Sequence, residues 1–270
     1  MKRENLLGGS LSIIAALMGI IGHMLLFQKW YRIGMHTPSA EPGCEILLKY
    51  IHPLMADFGI FGGVIFAISA YGYFTRKNWA FFLSVIAFVL VLLGSWFVNV
   101  PYMAAGLPPV YFPLFWPYVV LYFLFMLLVG KLSWSRTLLG LFTGIAYIFC
   151  WMNGVSSTSR IITIGAPIFI LVQRLHWLAM IGWAVVTVGI LIKPKEWMPV
   201  VGLVSALTEL VVGIPLTVAT AQQLGRFSLF ALAPISCLIL LVLLVWPGLW
   251  QRLTQPQQVV PTVAPAVLSG

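Results

Sequence analysis

Nearly uncharged stretches of about 20 apolar residues recur along the whole chain and constrain its fold more than any other feature. One of them, IGAPIFILVQRLHWLAMIGWAVVTVGILI at residues 164–192, contains only two ionisable side chains, Arg174 and His176. A helix of this length crosses a hydrocarbon core of about 30 Å. A β-barrel would instead show short segments of strict alternation. The sequence therefore predicts an all-α, polytopic membrane protein.

The composition agrees with this class. Only 8% of the 270 residues are charged and 61% are hydrophobic, whereas a soluble domain needs about 25% charged residues to cover its surface. The net charge of +9 does not indicate a nucleic-acid partner, because most basic residues lie in short loops between apolar segments. The lipid bilayer is the partner that this composition predicts.

We predict about eight transmembrane helices in one bundle domain over residues 1–250. The first is read as an uncleaved helix, because no A-x-A cleavage signature follows it. The tail at residues 251–270 is rich in Pro and Gln and is predicted to be disordered in the cytoplasm. The segments lie at approximately residues 6–28, 52–74, 79–100, 112–130, 136–154, 165–192, 198–220 and 228–249.

The distribution of basic residues predicts that both termini are cytoplasmic. With the N-terminus inside, the loops RKNW, KLSW and KPKEW are all cytoplasmic, and the outer loop NVPYMAAGLPPVYFP carries no charge. The short, tight loops favour a prokaryotic plasma membrane. The basic residues then inside are Lys2, Arg3, Arg76, Lys77, Lys131, Arg136, Lys193, Lys195 and Arg252, and those outside are Lys29, Arg32, Lys49, Arg160 and Arg226.

Small residues and cysteines within the helices have structural interpretations. Gly59 with Gly63, and Gly140 with Gly144, have the small-xxx-small spacing that lets helices approach closely. Cys150 and Cys237 fall in apolar helices and are interpreted as inert packing residues. No cysteine and histidine spacing predicts a metal site.

Ionisable residues inside helices are the candidate ligand-binding or proton-binding groups, because each costs about 2.5–3.5 kcal/mol at the membrane centre. They are His23, Asp57, Arg174, His176 and Glu209. All are predicted to lie in the outer half of the bundle or near the midplane. This asymmetry predicts either a polar cavity open to the outside or an internal polar network.

Depth along neighbouring helices predicts two pairs, at a rise of about 1.5 Å per residue. His23 and Asp57 lie about 7 and 8 Å below the outer helix ends, so we expect them to interact. Arg174 lies about 13 Å deep and Glu209 about 16 Å. A guanidinium in hydrocarbon needs a carboxylate, so Glu209 is the predicted partner of Arg174 and Asp57 is the second candidate. His176 points about 200° away from Arg174 around its helix and is not expected to share that partner.

Three functions remain open at this stage. The first is a small-molecule transporter with an outward-facing polar cavity, and the second is a non-catalytic subunit or scaffold in a homo- or hetero-oligomer. The third is a membrane enzyme or a haem- or quinone-binding protein, for which His23 and His52 would be the haem ligands. The sequence has no HExxH, GxSxG or Walker motif, so no catalytic residue, metal or cofactor is predicted.

Overall fold

The computed structural model describes residues 3–37, 44–165 and 167–254. Within these ranges the chain is almost entirely helical and has no strand. Seven of the described helices are long and apolar enough to cross a membrane, and an eighth apolar helix is shorter. The predicted all-α, polytopic membrane class is confirmed, with seven long helices and one shorter helix where about eight were expected.

The helices follow one another through short connections. The first helix contains a π-helical turn at Met18–Gly22, the fourth ends in a π-helical turn at Phe125–Val129, and the eighth begins with a 3-10 turn at Leu229–Ala231. Within the predicted tail, residues 251–254 belong to a short ninth helix, and residues 255–270 lie outside the described part of the chain. The bounds are α1 Arg3–His36, α2 Cys44–Phe74, α3 Ala80–Ala104, α4 Phe112–Val129, α5 Trp134–Ile164, α6 Pro167–Ile192, α7 Met198–Leu224, α8 Leu229–Val245 and α9 Leu249–Thr254.

The eight apolar helices pack as two rings of four. In the N-terminal ring each of α1 to α4 contacts the next helix along the chain, and α4 returns to contact α1. The C-terminal ring, α5 to α8, repeats this pattern, with α8 returning to α5. The rings meet mainly through α3, α5 and α6, beside an apolar cavity of about 290 Å³ that is lined by α3, α4, α5 and α6.

Glycines bring three helix backbones of the N-terminal ring into contact. A Cβ added at Gly19 of α1 would lie 2.6 Å from the Cα of Gly63 on α2, and one added at Gly94 of α3 would lie 2.6 Å from the carbonyl oxygen of Met55. The structure thus confirms close packing at the Gly59/Gly63 motif. Tyr118 of α4 closes the ring, because its hydroxyl donates to the Ala15 carbonyl at 3.3 Å. The N-terminal ring is therefore held by contacts that leave no room for a larger side chain.

Basic residues near the turns that are predicted to be cytoplasmic make contacts between helices. Lys131, in the turn between α4 and α5, forms an ion pair with Glu4 of α1. Arg136 of α5 donates from Nε to the Ile190 carbonyl at 2.5 Å and from Nη2 to the Leu191 carbonyl at 3.1 Å. Those carbonyls belong to the last turn of α6, where helical hydrogen-bond partners run out and a cation is stabilising.

We expect Arg136→Ala to lower the free energy of unfolding by about 1.5–3 kcal/mol, because it removes charge-assisted hydrogen bonds to otherwise unpaired carbonyls. Chemical unfolding in mixed detergent micelles, followed by circular dichroism, measures this difference. Lys77→Ala removes an exposed charge from another inner turn and should change stability by less than about 0.5 kcal/mol. Equal effects of the two substitutions would contradict the capping role of Arg136.

Candidate functional site

A fully buried acid and base meet in the C-terminal ring. The Oε2 atom of Glu209 on α7 lies 2.8 Å from Nδ1 of His176 on α6, and neither residue has any exposed surface. Asn153 of α5, also fully buried, donates from Nδ2 to the other carboxylate oxygen at 2.8 Å. Three helices thus converge on one carboxylate, which lies about 17 Å along α7 from Met198 and therefore near the middle of this candidate span.

The local sequence makes room for this carboxylate. A Cβ added at Gly213, one turn after Glu209, would lie 2.6 Å from Oε1. The same Asn153 amide also donates to the backbone carbonyl of Phe230 at 3.1 Å, and Phe230 lies in the first turn of α8. All four helices of the C-terminal ring therefore contribute to this cluster of Asn153, His176 and Glu209, which we call the acid–base cluster.

Several polar atoms around the acid–base cluster have no hydrogen-bond partner among the described residues. They are Oδ1 of Asn153, Nε2 of His176 and the indole nitrogens of Trp151 and Trp177. Buried polar atoms in proteins are nearly always paired with protein or water. Both members of the cluster that contact Glu209 therefore keep hydrogen-bonding capacity for water or a polar ligand.

Two thiols pack against the cluster. Cys150 of α5 and Cys237 of α8 are fully buried and unbridged, with their Sγ atoms 4.0 Å apart. Cys150 precedes Asn153 by three positions on α5, so the two side chains lie on the same side of that helix. Their complete burial agrees with the interpretation of both residues as packing groups, and it makes them reporters of any opening at the cluster.

An outer cavity of about 380 Å³ lies next to the cluster. It is bounded by the outer end of α3, including Val100 and Met103, and by the connection from α7 to α8, including Arg226 and Phe230. Phe230 thus lines the cavity with one part and accepts the Asn153 hydrogen bond with its carbonyl. Phe230 therefore links the wall of this cavity to the acid–base cluster.

The predicted Arg174–Glu209 pair is wrong. Glu209 pairs with His176, and Arg174 lies on the exposed face of α6. Arg174 and His176 are two positions apart, so their side chains point to nearly opposite sides of α6. Matching by depth identified the correct pair of helices, but it is His176, and not Arg174, that faces Glu209.

The predicted His23–Asp57 interaction is also wrong. Nδ1 of His23 lies 3.1 Å from the Gly19 carbonyl, which the π-helical turn of α1 presents to it, and the ring is fully buried. Asp57 lies on the exposed face of α2. His23 instead faces Gly59, where an added Cβ would lie 2.2 Å from Nε2. The side of α2 that approaches His23 is thus the glycine side, which leaves no room for a carboxylate.

A second buried network lies in the N-terminal ring and centres on His52. Its Nδ1 lies 2.9 Å from the hydroxyl of Tyr102, and its Nε2 lies 3.0 Å from that of Tyr111. Tyr102 donates onward to the Trp30 carbonyl at 2.8 Å, so it accepts from Nδ1, and Nε2 then accepts from Tyr111. Burial raises the pKa of the Tyr111 phenol, which keeps this donor protonated.

This His52 network is closed and structural. The Tyr111 backbone N–H donates to Oδ1 of Asn99 at 2.7 Å, and the Asn99 amide nitrogen donates to the Ser95 carbonyl at 2.8 Å. The network fastens the proline-rich connection between α3 and α4 to the outer ends of α1 and α2. Tyr102 and Tyr111 were not identified from the sequence. The pattern that could have indicated them is the placement of tyrosines beside prolines in an uncharged loop.

The histidines of the N-terminal ring do not fit the bis-histidine haem hypothesis. Both nitrogens of His52 are occupied by tyrosine hydroxyls. His23 binds Gly19 through one nitrogen and packs against Gly59 with the other. Neither ring has space for iron at a coordinating nitrogen.

No protein family, curated protein or solved structure matches the chain. The fold and site together define the class: a helical, multi-pass membrane protein with two four-helix rings. Its distinguishing feature is a buried histidine–carboxylate pair in the second ring. Any more specific function has to be inferred from that site.

Proposed function

We propose that this protein is a proton-coupled small-molecule transporter in which Glu209 and His176 hold the coupling proton. The observation that carries the proposal is the direct contact of a fully buried imidazole with a fully buried carboxylate at mid-membrane depth. Ionisable groups at this depth are costly, and in membrane proteins they commonly form ion pathways and proton relays. The proposal includes the plasma membrane of a prokaryote, where a proton gradient is available.

The chemistry of the pair suits proton binding. An imidazole and a carboxylate in hydrogen-bond contact together gain or lose one proton with little movement of heavy atoms. Gain or loss of this proton alters the net charge of a site that is shielded from water. It therefore changes the free-energy cost of keeping the site buried. Proton occupancy and exposure of the site are therefore linked.

Access from the outer side would follow the cavity beside the connection from α7 to α8. Phe230 separates this cavity from Asn153, and the Asn153–Phe230 hydrogen bond fastens α8 to α5. Breaking that hydrogen bond and displacing the first turn of α8 would connect Glu209 to the outside. We infer that the state with this hydrogen bond intact is the occluded state of the cycle.

The two-ring architecture supports the same function. Many transporters consist of two helical repeats that move against one another around a site in the membrane. Here the rings meet beside an apolar cavity of about 290 Å³, which leaves space for such a movement. The Tyr122 hydroxyl of α4 donates across this boundary to the Thr137 carbonyl of α5 at 2.8 Å.

Substrate-induced currents in proteoliposomes on a solid-supported membrane test the proposal. The probes are acetate, lactate, alanine, choline and inorganic phosphate, each applied with and without an inward pH gradient. We expect at least one probe to give a current that the gradient increases. Glu209→Gln should reduce the gradient-dependent current to that of empty liposomes, because the amide cannot bind the proton.

Ser205→Ala is the matched control. Ser205 lies one turn before Glu209 on α7, is buried, and donates to the Val201 carbonyl of its own helix at 2.9 Å. We expect this variant to keep the wild-type current. The proposal is rejected if no probe gives a gradient-dependent current, or if Glu209→Gln keeps one.

A further inference from the structure

Two membrane-embedded charges face outward on otherwise apolar helix surfaces. Asp57 lies on the exposed face of α2, next to Phe61 and Val64 on the same face. Arg174 lies on the exposed face of α6, between Leu171 and Leu178. Both positions are inside helices that are long and apolar enough to cross a membrane.

Neither charge has an ion-pair partner among the side chains that the structure describes. Charged residues in membrane helices nearly always face the interior of a bundle and pair with one another. Asp57 and Arg174 face away from their own bundle and carry opposite charges. A partner that covers both faces would remove this mismatch.

Counted from the helix ends at the predicted cytoplasmic face, the two charges lie at nearly the same height. α2 and α6 both run inward and end at tight inner turns. Asp57 precedes the end of α2 at Phe74 by 17 positions, or about 26 Å, and Arg174 precedes the end of α6 at Ile192 by 18 positions, or about 27 Å. A two-fold axis along the membrane normal preserves height, so it can bring these groups of two copies together.

We propose that two copies of this chain form a dimer through α2 and α6, in which Asp57 of each copy pairs with the partner's Arg174. The symmetry gives two identical ion pairs, each surrounded by the apolar side chains of the two helix faces. The pairing is independent of the proposed transport function, because it uses the outer surface of the bundle and leaves the acid–base cluster inside each copy.

Subunit counting by single-molecule photobleaching in lipid vesicles tests the dimer, with the fluorescent label on the C-terminus. We expect wild-type protein to be dimeric at low density in the membrane. Asp57→Arg and Arg174→Asp should each raise the dissociation constant about ten-fold or more, because each places like charges together. The double variant with both substitutions should restore the wild-type dissociation constant.

Two further measurements distinguish the loss of the dimer interface from misfolding of a variant. In a Cys44→Ser background, a variant carrying Asp57→Cys and Arg174→Cys should form a covalent dimer with a bis-methanethiosulfonate cross-linker, because an Asp–Arg pair separates the backbones by more than a disulfide spans. Either substitution alone should give no covalent dimer. Lys77→Glu reverses an exposed charge at an inner turn and should leave the dissociation constant unchanged. A monomeric wild-type protein, or a charge exchange that fails to restore association, would overturn the proposed interface.

Discussion

Glu209→Ala is expected to destabilise the protein by about 3–5 kcal/mol, whereas Glu209→Gln should cost about 1 kcal/mol or less. Alanine removes both acceptors of the acid–base cluster and leaves Nδ1 of His176 and the amide of Asn153 buried without partners. Glutamine has the same shape. Its carbonyl oxygen accepts from Asn153, and its amide donates to His176 in the other tautomer.

Unfolding in mixed detergent micelles measures the free energy of unfolding of both variants. Comparing the two distinguishes the structural role of Glu209 from its proposed role in proton binding. A stable Glu209→Gln protein without gradient-dependent transport would assign the loss to the missing proton site. If Glu209→Ala were as stable as wild type, the cluster could not be the polar centre that holds α5, α6 and α7 together.

The second large effect is expected at the glycine contact of the N-terminal ring. Gly63→Ala should lower the free energy of unfolding by about 1–3 kcal/mol. Its new Cβ would lie 2.8 Å from the backbone nitrogen of Ile20 and 3.0 Å from the carbonyl oxygen of Ala16. These are backbone atoms of α1, so relief requires the two helices to separate.

Gly144→Ala on α5 is the matched control in the other ring. Its Cβ would meet only a methyl carbon of Thr187 at an ordinary 3.7 Å. Since alanine is the better helix former, this variant should have a free energy of unfolding equal to that of the wild type or higher by up to about 1 kcal/mol. The same unfolding titration compares the two. Equal losses at both positions would mean that helix propensity, and not backbone contact, decides the effect at Gly63.

Helix number and the membrane class were predictable because hydrophobic length is a property of the sequence alone. The ends were less predictable: α1 was expected over residues 6–28 and extends over Arg3–His36. Polar residues such as Lys29 and Arg32 are compatible with helix, so α1 continues beyond the apolar stretch from which its end was predicted. The inner ends agree better, since short turns at the predicted cytoplasmic face limit them.

The sequence predicted two residues of the candidate site but paired Glu209 with the wrong residue. Glu209 and His176 were both identified, and neighbouring helices were correctly matched by depth. Assigning Glu209 to Arg174 required knowing which face of α6 points inward, and the apolar residues on all sides of that helix hide this. The contribution of Asn153 depends on the packing of α5 against α7 and α8, which no local pattern predicts.

The order of helix contacts has a consequence for biosynthesis. Each ring is built from four helices that are consecutive in the chain, so its contacts form between segments that are close in sequence. The N-terminal ring is complete when Val129 has been synthesised, before any part of α5 exists. It can therefore fold in the membrane while the ribosome is still making the second ring. The His176–Glu209 pair then forms as α7 inserts beside α6, so the chain carries an unpaired Glu209 for only a short part of its synthesis.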